Sequence, residues 1–335
     1  MSTPFQNMAA AVVAVIDATP SRIPVVVGLC GSGRTSLLQR VEERVGAARC
    51  QLVGLDRVVS TPERFFAELA AASQLSWARP DTPPATPRAA FEALAACLSS
   101  AQAPDGSPAT WLLDEFLEVK TLESFPGLRH AVDETLAVVA ASPARFVLTS
   151  RFVSRTLRVL HEGRDRFVVM HAPPLGVADI GADLQRIPGF KSDAAEDAAR
   201  VIVALTGGQL AYATELVRAL GDPGLRVRDP IAAFSALLAP GGALCRRCRQ
   251  SYEFRLHRAR GYGALKAILG ILADDEPMTL TDIAEHMHRT PGSTKDYLGW
   301  LQDVDLVVVH RKRYSIADPV MRLWVTLHTQ CRPPG

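Results

Sequence analysis

Apolar positions along this chain switch between two periods. Residues 5–18 carry them at helical spacing, and Thr19-Pro20 ends the run. Residues 23–28 form a continuous, mostly β-branched run, which predicts a strand covered on both faces. A helix is expected over 36–45 and a strand over 50–55. Another helix opens near Ser60 and Thr61, where a capping hydroxyl, Pro62 and Glu63 coincide. The proline-rich 79–87 segment reads as a loop. After it come a helix over 88–99, the apolar run WLLDEF at 111–116, a helix around 129–141, the strand RFVLTS at 145–150, and then FVVMHAPPL. Strands alternating with helices predict an α/β domain whose parallel sheet has helices on both faces.

Past Pro173-Pro174 the texture changes to short helices over 177–238, without a strand, and APGGA at 239–243 marks a second break. The domains expected are therefore 1–174, 175–240 and 241–335. In the last, helices are predicted over 262–272 and 278–287, and a third opens at Thr290-Pro291 and runs through Tyr297, Trp300 and Leu301. Residues 306–316 alternate around a basic turn, as a two-stranded wing does. Three helices and a wing resemble a winged-helix domain, with ADPVMRLW as a closing helix.

Composition narrows the classes. Of 335 residues, 48% are hydrophobic and 21% charged, a globular balance that argues against long disorder. A net charge of +2 makes the whole surface no magnet for nucleic acid, so such a role needs a local patch. The six cysteines are scattered apart from Cys245 and Cys248, which fits a reduced, cytoplasmic protein. The N-terminal MAAAVVAVIDA is short and lacks a basic region before it, so it reads as a packed helix rather than a signal peptide. No apolar segment is long enough to span a bilayer.

The chemistry gathers in VVVGLCGSGRTSLLQRV. A strand, two glycines five apart and a helix match the phosphate-binding loop G-x-x-x-x-G-K-[ST], except that Arg34 replaces the lysine. The expected nucleotide contacts run through Gly28, Leu29, Cys30, Gly31, Ser32, Gly33, Arg34, Thr35 and Ser36. Glycines let the backbone curl so that its N–H groups face phosphate, and the helix N-terminus adds partial positive charge. Thr35 offers a hydroxyl to Mg²⁺. A bare glycine-rich turn is the competing reading. WLLDEF supplies acids at a strand end: Asp114 for the magnesium, and Glu115 to orient and deprotonate a water. Thr149 or Ser150, ending the next strand, is expected to sense the γ-phosphate. Arg151 either reaches that phosphate or is a solvated strand-end arginine. Guanidinium is broader than ammonium and always charged, so Arg34 preserves binding while placing the γ-phosphate less well for hydrolysis.

With these motifs the chain resembles the AAA+/STAND branch of P-loop ATPases, including archaeal-type ATPases and origin-recognition-like proteins. The carrying residues are GLCGSGRT, WLLDEF, VLTSR and LTGGQLAYATEL at 205–216. The resemblance implies ATP and Mg²⁺ as ligands and a helical lid, with Gly207 and Gly208 at a helix start beside the nucleotide. Leu210 departs from the family's usual proline. A simple helix start capped by Thr206 is the plainer reading of TGGQL.

In a DNA-binding winged helix the third helix enters the major groove and the wing touches phosphate. Ser293, Thr294, Lys295 and Tyr297 are the groove candidates, and Arg311, Lys312 and Arg313 the wing tip. Asp296, Asp303 and Asp305 oppose DNA wherever they are exposed. The helix with Arg246, Arg247, Arg249, Arg255, Arg258 and Arg260 either adds phosphate contacts or is a solvated face. CRRC lacks a second cysteine pair, and His257 and Cys331 are poorly spaced substitutes, so zinc is not expected. His286 and His288, two apart on a helix, diverge. Three functions compete: a Mg·ATP switch acting on double-stranded DNA, a protein partner or a homo-oligomer; a non-hydrolysing DNA-binding regulator on a degenerate P-loop; and a helper ATPase assembling on DNA.

Overall fold

The structure is a computed structural model, and it describes residues 3–72, 74–160, 165–222, 224, 228–257 and 261–329. The chain divides into two compact units. One comprises Thr3–Leu29 and Gly33–Pro173; the other holds Cys30–Ser32 together with the residues from Pro174 onward.

The first unit opens with α1 (Thr3–Ile16), whose Phe5, Ala9, Val12 and Ile16 are buried at helical spacing. β1 (Ile23–Val27) is buried at every position, as its unbroken apolar run requires. Then follow α2 (Arg34–Val45), β2 (Cys50–Gly54), the single turn α3 (Leu55–Val58) and α4 (Pro62–Ala72). α5 (Pro87–Ser100) starts on Thr86, whose hydroxyl accepts the Ala89 N–H, with proline at the first helical position. β3 (Thr110–Asp114) is fully buried. The run expected to continue to Phe116 stops at Asp114, and Phe116–Ser124 is a 3-10 helix that amphipathic spacing did not announce. α6 (Ala131–Ala141), β4 (Arg145–Ser150), α7 (Val153–Leu160) and β5 (Phe167–His171) complete the unit. The polar α7 was not foreseen.

The five strands are parallel in the order β2-β3-β4-β1-β5. β4 therefore lies between the strand that leads into the glycine loop and the strand that ends in Asp114. All three C-terminal ends meet on one edge, where ligands of open parallel sheets gather.

In the second unit, α8 (Val177–Gln185), α9 (Ser192–Thr206), α10 (Leu210–Gly221) and α11 (Pro230–Leu238) form a helical bundle, followed by α12 (Ala243–His257). α13 (Tyr262–Asp274), β6 (Met278–Thr279), α14 (Leu280–His286), α15 (Pro291–Asp303), β7 (Val307–His310), β8 (Arg313–Ile316) and α16 (Pro319–Thr329) make the winged-helix part. Its antiparallel sheet has three strands in the order β6-β8-β7, one more than expected, because Met278 and Thr279 pair with β8 before Thr279 caps α14. Among the described residues no helix is long and apolar enough to cross a membrane.

Candidate nucleotide-binding site

The glycine loop closes on α2. Gly31 and Gly33 take φ of +86° and +88°, a region only glycine enters without strain. α2 begins at Arg34, two residues earlier than predicted, and no acid occupies its first turn. Its N-terminus thus keeps its partial positive charge for an anion. Gly28 donates its N–H to Ser150 O (3.3 Å), so that group belongs to the sheet. In the second unit, Cys30 O accepts from Gln209 Nε2 (2.5 Å) and Gly31 O from Ala211 N (3.1 Å).

Thr35 and Asp114 meet although 79 residues separate them: the hydroxyl donates to Asp114 Oδ2 at 2.6 Å. Thr149 donates to Asp114 Oδ1 and accepts the Glu115 N–H at 3.0 Å. Strand order explains this. Leu113 pairs with Leu148, so the next residues, Asp114 and Thr149, stand side by side. Ser150, the other candidate on β4, uses its hydroxyl to accept the Phe152 N–H (3.1 Å) at the start of α7. Hydroxyl plus carboxylate is a hard oxygen donor set of the kind Mg²⁺ takes, so Thr35 and Asp114 fit that ion.

Glu115 is not the last residue of a strand. Its backbone is left-handed (φ 60°, ψ 50°), which turns its side chain out of the strand register. One carboxylate oxygen accepts from Arg34 Nη2 (2.6 Å); the other accepts the Arg151 N–H (2.9 Å) and forms an ion pair with the Arg151 guanidinium (3.0 Å). Burial pushes this carboxyl up, but the two guanidiniums and the amide outweigh it and leave it below the usual carboxylate range. Arg34, 7% exposed, also donates to Gly28 O and, at 2.7 Å, to Leu29 O. Arg151 further faces Glu118 (3.5 Å) and Asp56 (3.7 Å), so it is no solvated strand-end arginine. Sequence reasoning missed both acids. Glu118 follows Glu115 by three residues, one turn of the unforeseen 3-10 helix.

Gly208 has φ +71°, and a Cβ there would lie 2.3 Å from Leu175 O; its own carbonyl accepts the Leu175 N–H at 2.7 Å. In this structure the glycine is needed for that close backbone pairing.

In the winged-helix part Lys295, Arg311 and Lys312 are exposed. Arg313, exposed as well, opens β8 directly after the turn and donates to Pro277 O (3.1 Å). Thr294 is buried and donates to Thr290 O, so it does not face a groove; Ser293 and Tyr297 are half-buried. Arg255 is no surface group either: it is buried and donates to Asp305 O at 2.8 Å. Arg258, Arg260 and Cys331, and the His257 side chain, lie outside the described residues. Cys245 Sγ accepts from Trp324 Nε1 (3.4 Å), while Cys248 packs by the Tyr212 hydroxyl and burial pushes its thiol up to about 12.

No family model matches the chain, and no curated protein matches it in sequence. Among solved structures it is similar to a Walker-type ATPase of Pyrococcus abyssi, with a TM-score of 0.70 and 16% identity over 96% of this chain and 95% of that one. It is also similar to the Orc1 protein of Aeropyrum pernix, solved in complex with DNA, with a TM-score of 0.52 and 15% identity over 97% of this chain and 92% of that one. These likenesses show the fold, that of the P-loop ATPases.

Proposed function

We propose that this protein is a Mg·ATP-binding switch that hydrolyses slowly. The observation that carries the reading is the 2.6 Å contact of Thr35 with Asp114 beside a glycine loop opening a helix. A bound magnesium would supply charge neutralisation to the nucleotide's phosphates. Thr35 and Asp114 would hold it, Thr149 orients Asp114, and the α2 N-terminus would favour the phosphate charge. Slow turnover is read from Arg34 and Glu115. Both carboxylate oxygens are already occupied, so the glutamate must be released from Arg34 or Arg151 before it takes a proton from water. The same pair supports the second reading, a regulator that binds nucleotide without hydrolysing it. A reduced, cytoplasmic setting belongs to this proposal and is supported by the buried free thiols of Cys50, Cys97, Cys245 and Cys248.

Duplex DNA as the partner of the C-terminal part has Lys295, Arg311 and Lys312 in its favour. The burial of Thr294 and the exposed Asp296 beside Lys295 weigh against it.

Thermal unfolding with and without Mg·ATP tests the central reading. At a hundredfold excess over Kd the ligand adds about 2.7 kcal/mol, several degrees in Tm. Wild type and Glu115→Gln should show that shift; Thr35→Ala, Asp114→Asn and Arg34→Ala should lose it. Arg34→Lys should release phosphate faster than wild type. No wild-type shift at millimolar nucleotide refutes the proposal.

A further inference from the structure

The small antiparallel sheet ends in an unguarded strand. β7 is terminal in the order β6-β8-β7, and its pairing with β8 runs without a bulge from Val307–Ile316 to His310–Arg313. Sheet edges are ordinarily blunted by proline, charge or a bulge. β7 reads VVVH, and Val308 and Val309 are 43% and 45% exposed. The turn that follows has φ of 49° at Arg311 and 63° at Lys312. Both central residues of this two-residue hairpin are left-handed, where Asn-Gly is the easy solution. Two exposed basic side chains held at that backbone cost suggest a use for their charge.

Hairpin geometry fixes which groups face outward. A two-residue turn makes His310 and Arg313 a hydrogen-bonded pair, and such pairs alternate along the ladder. The bond from Ala317 N to Leu306 O, 2.9 Å, has the same phase. Val307 and Val309 therefore turn their N–H and C=O groups away from β8. We propose that this edge pairs antiparallel with β7 of a second copy of the chain, about a two-fold axis at Val308, joining two three-stranded sheets into one. In that register Val307 of each copy faces Val309 of the other, and Val308 faces its own image. The Arg311–Lys312 turn then comes against residues 303–305 of the second copy, where Asp303 is half-exposed.

A second copy suits this edge better than DNA. It offers a matching row of outward backbone groups, it covers part of each valine, and it sets acid against the basic turn. Phosphate would reward only the turn, and the exposed Asp296 on α15 would repel it. Four-residue strands bury little area, so the dimer is weak and reversible.

Cysteine cross-linking of the full chain provides the test. Facing Val308 residues form a pair without backbone hydrogen bonds, with Cα atoms about 4.5 Å apart, within disulfide reach. Val308→Cys should give a disulfide-linked dimer under mild oxidation, well above the wild-type background. Val309→Cys, which faces Val307 rather than itself, should not. In sedimentation at about 100 µM, a range suited to small interfaces, wild type should approach twice the monomer mass, and both Val308→Lys and Val309→Pro should stay monomeric. Equal cross-linking of the two cysteine variants, or a monomeric wild type, overturns the proposal. So does a wild-type monomer whose salt-dependent binding to a duplex oligonucleotide is lost in Arg311→Gln/Lys312→Gln. None of these readouts depends on nucleotide.

Discussion

Arg34 sits where its loop ordinarily carries lysine, and its fork engages the loop itself. One arm reaches the Gly28 and Leu29 carbonyls and the other reaches Glu115. Lysine has no fork to span those acceptors in one plane. Glu115 is thereby held as an ion between two arginines, and a stability effect follows from its lowered pKa. A carboxyl depressed in the fold contributes stability above its unfolded value, and that stability is lost as pH falls through the folded one. Glu115→Gln should therefore be less stable than wild type at neutral pH. The gap should close as pH drops below the ordinary 4.5, as denaturation midpoints across an acid series would show. A gap that stays constant with pH would mean the two arginines do not stabilise the ion.

At the scale of elements, the order β2-β3-β4-β1-β5 does more for the site than any one motif. It inserts β4 between the loop strand and β3, which brings Thr149 to Asp114. The turn before α10 depends on similarly close backbone placement. Gly207 and Gly208 both have positive φ, but only Gly208 has backbone within 3 Å of where a Cβ would stand. Gly207→Ala should cost about 1–2 kcal/mol for its left-handed backbone. Gly208→Ala should cost ~1–3 kcal/mol more from the clash with Leu175. Urea midpoints of the two variants should separate accordingly, and equal midpoints would contradict the packing role.

For the whole molecule, a charge of +2 spread over 335 residues leaves function to local arrangements. The acids and hydroxyls of β3 and β4 belong to the first unit, the β7 edge to the second. Changes to the edge should leave ligand binding intact, because sites without shared partners behave additively. Val308→Lys should keep the full Mg·ATP shift in Tm. Loss of that shift would reveal coupling between the wing and the nucleotide site.

The sequence by itself determined the strands of the parallel sheet, the glycine loop, the strand-end position of Asp114 and the two-stranded hairpin of the wing. Each is written in local patterns: β-branched runs, a fixed glycine spacing, a strand ending in acids, a hydroxyl followed by proline. Tertiary structure decided what those patterns leave open. Arg34 turned toward Glu115, Arg151 entered a cluster with Glu118 and Asp56, Thr149 rather than Ser150 reached Asp114, and Arg255 and Thr294 became buried. The physical reason is that a charged or hydroxyl side chain takes whichever partner the fold brings within about 3 Å, and strand order and an unforeseen 3-10 turn, not spacing along the chain, chose those neighbours.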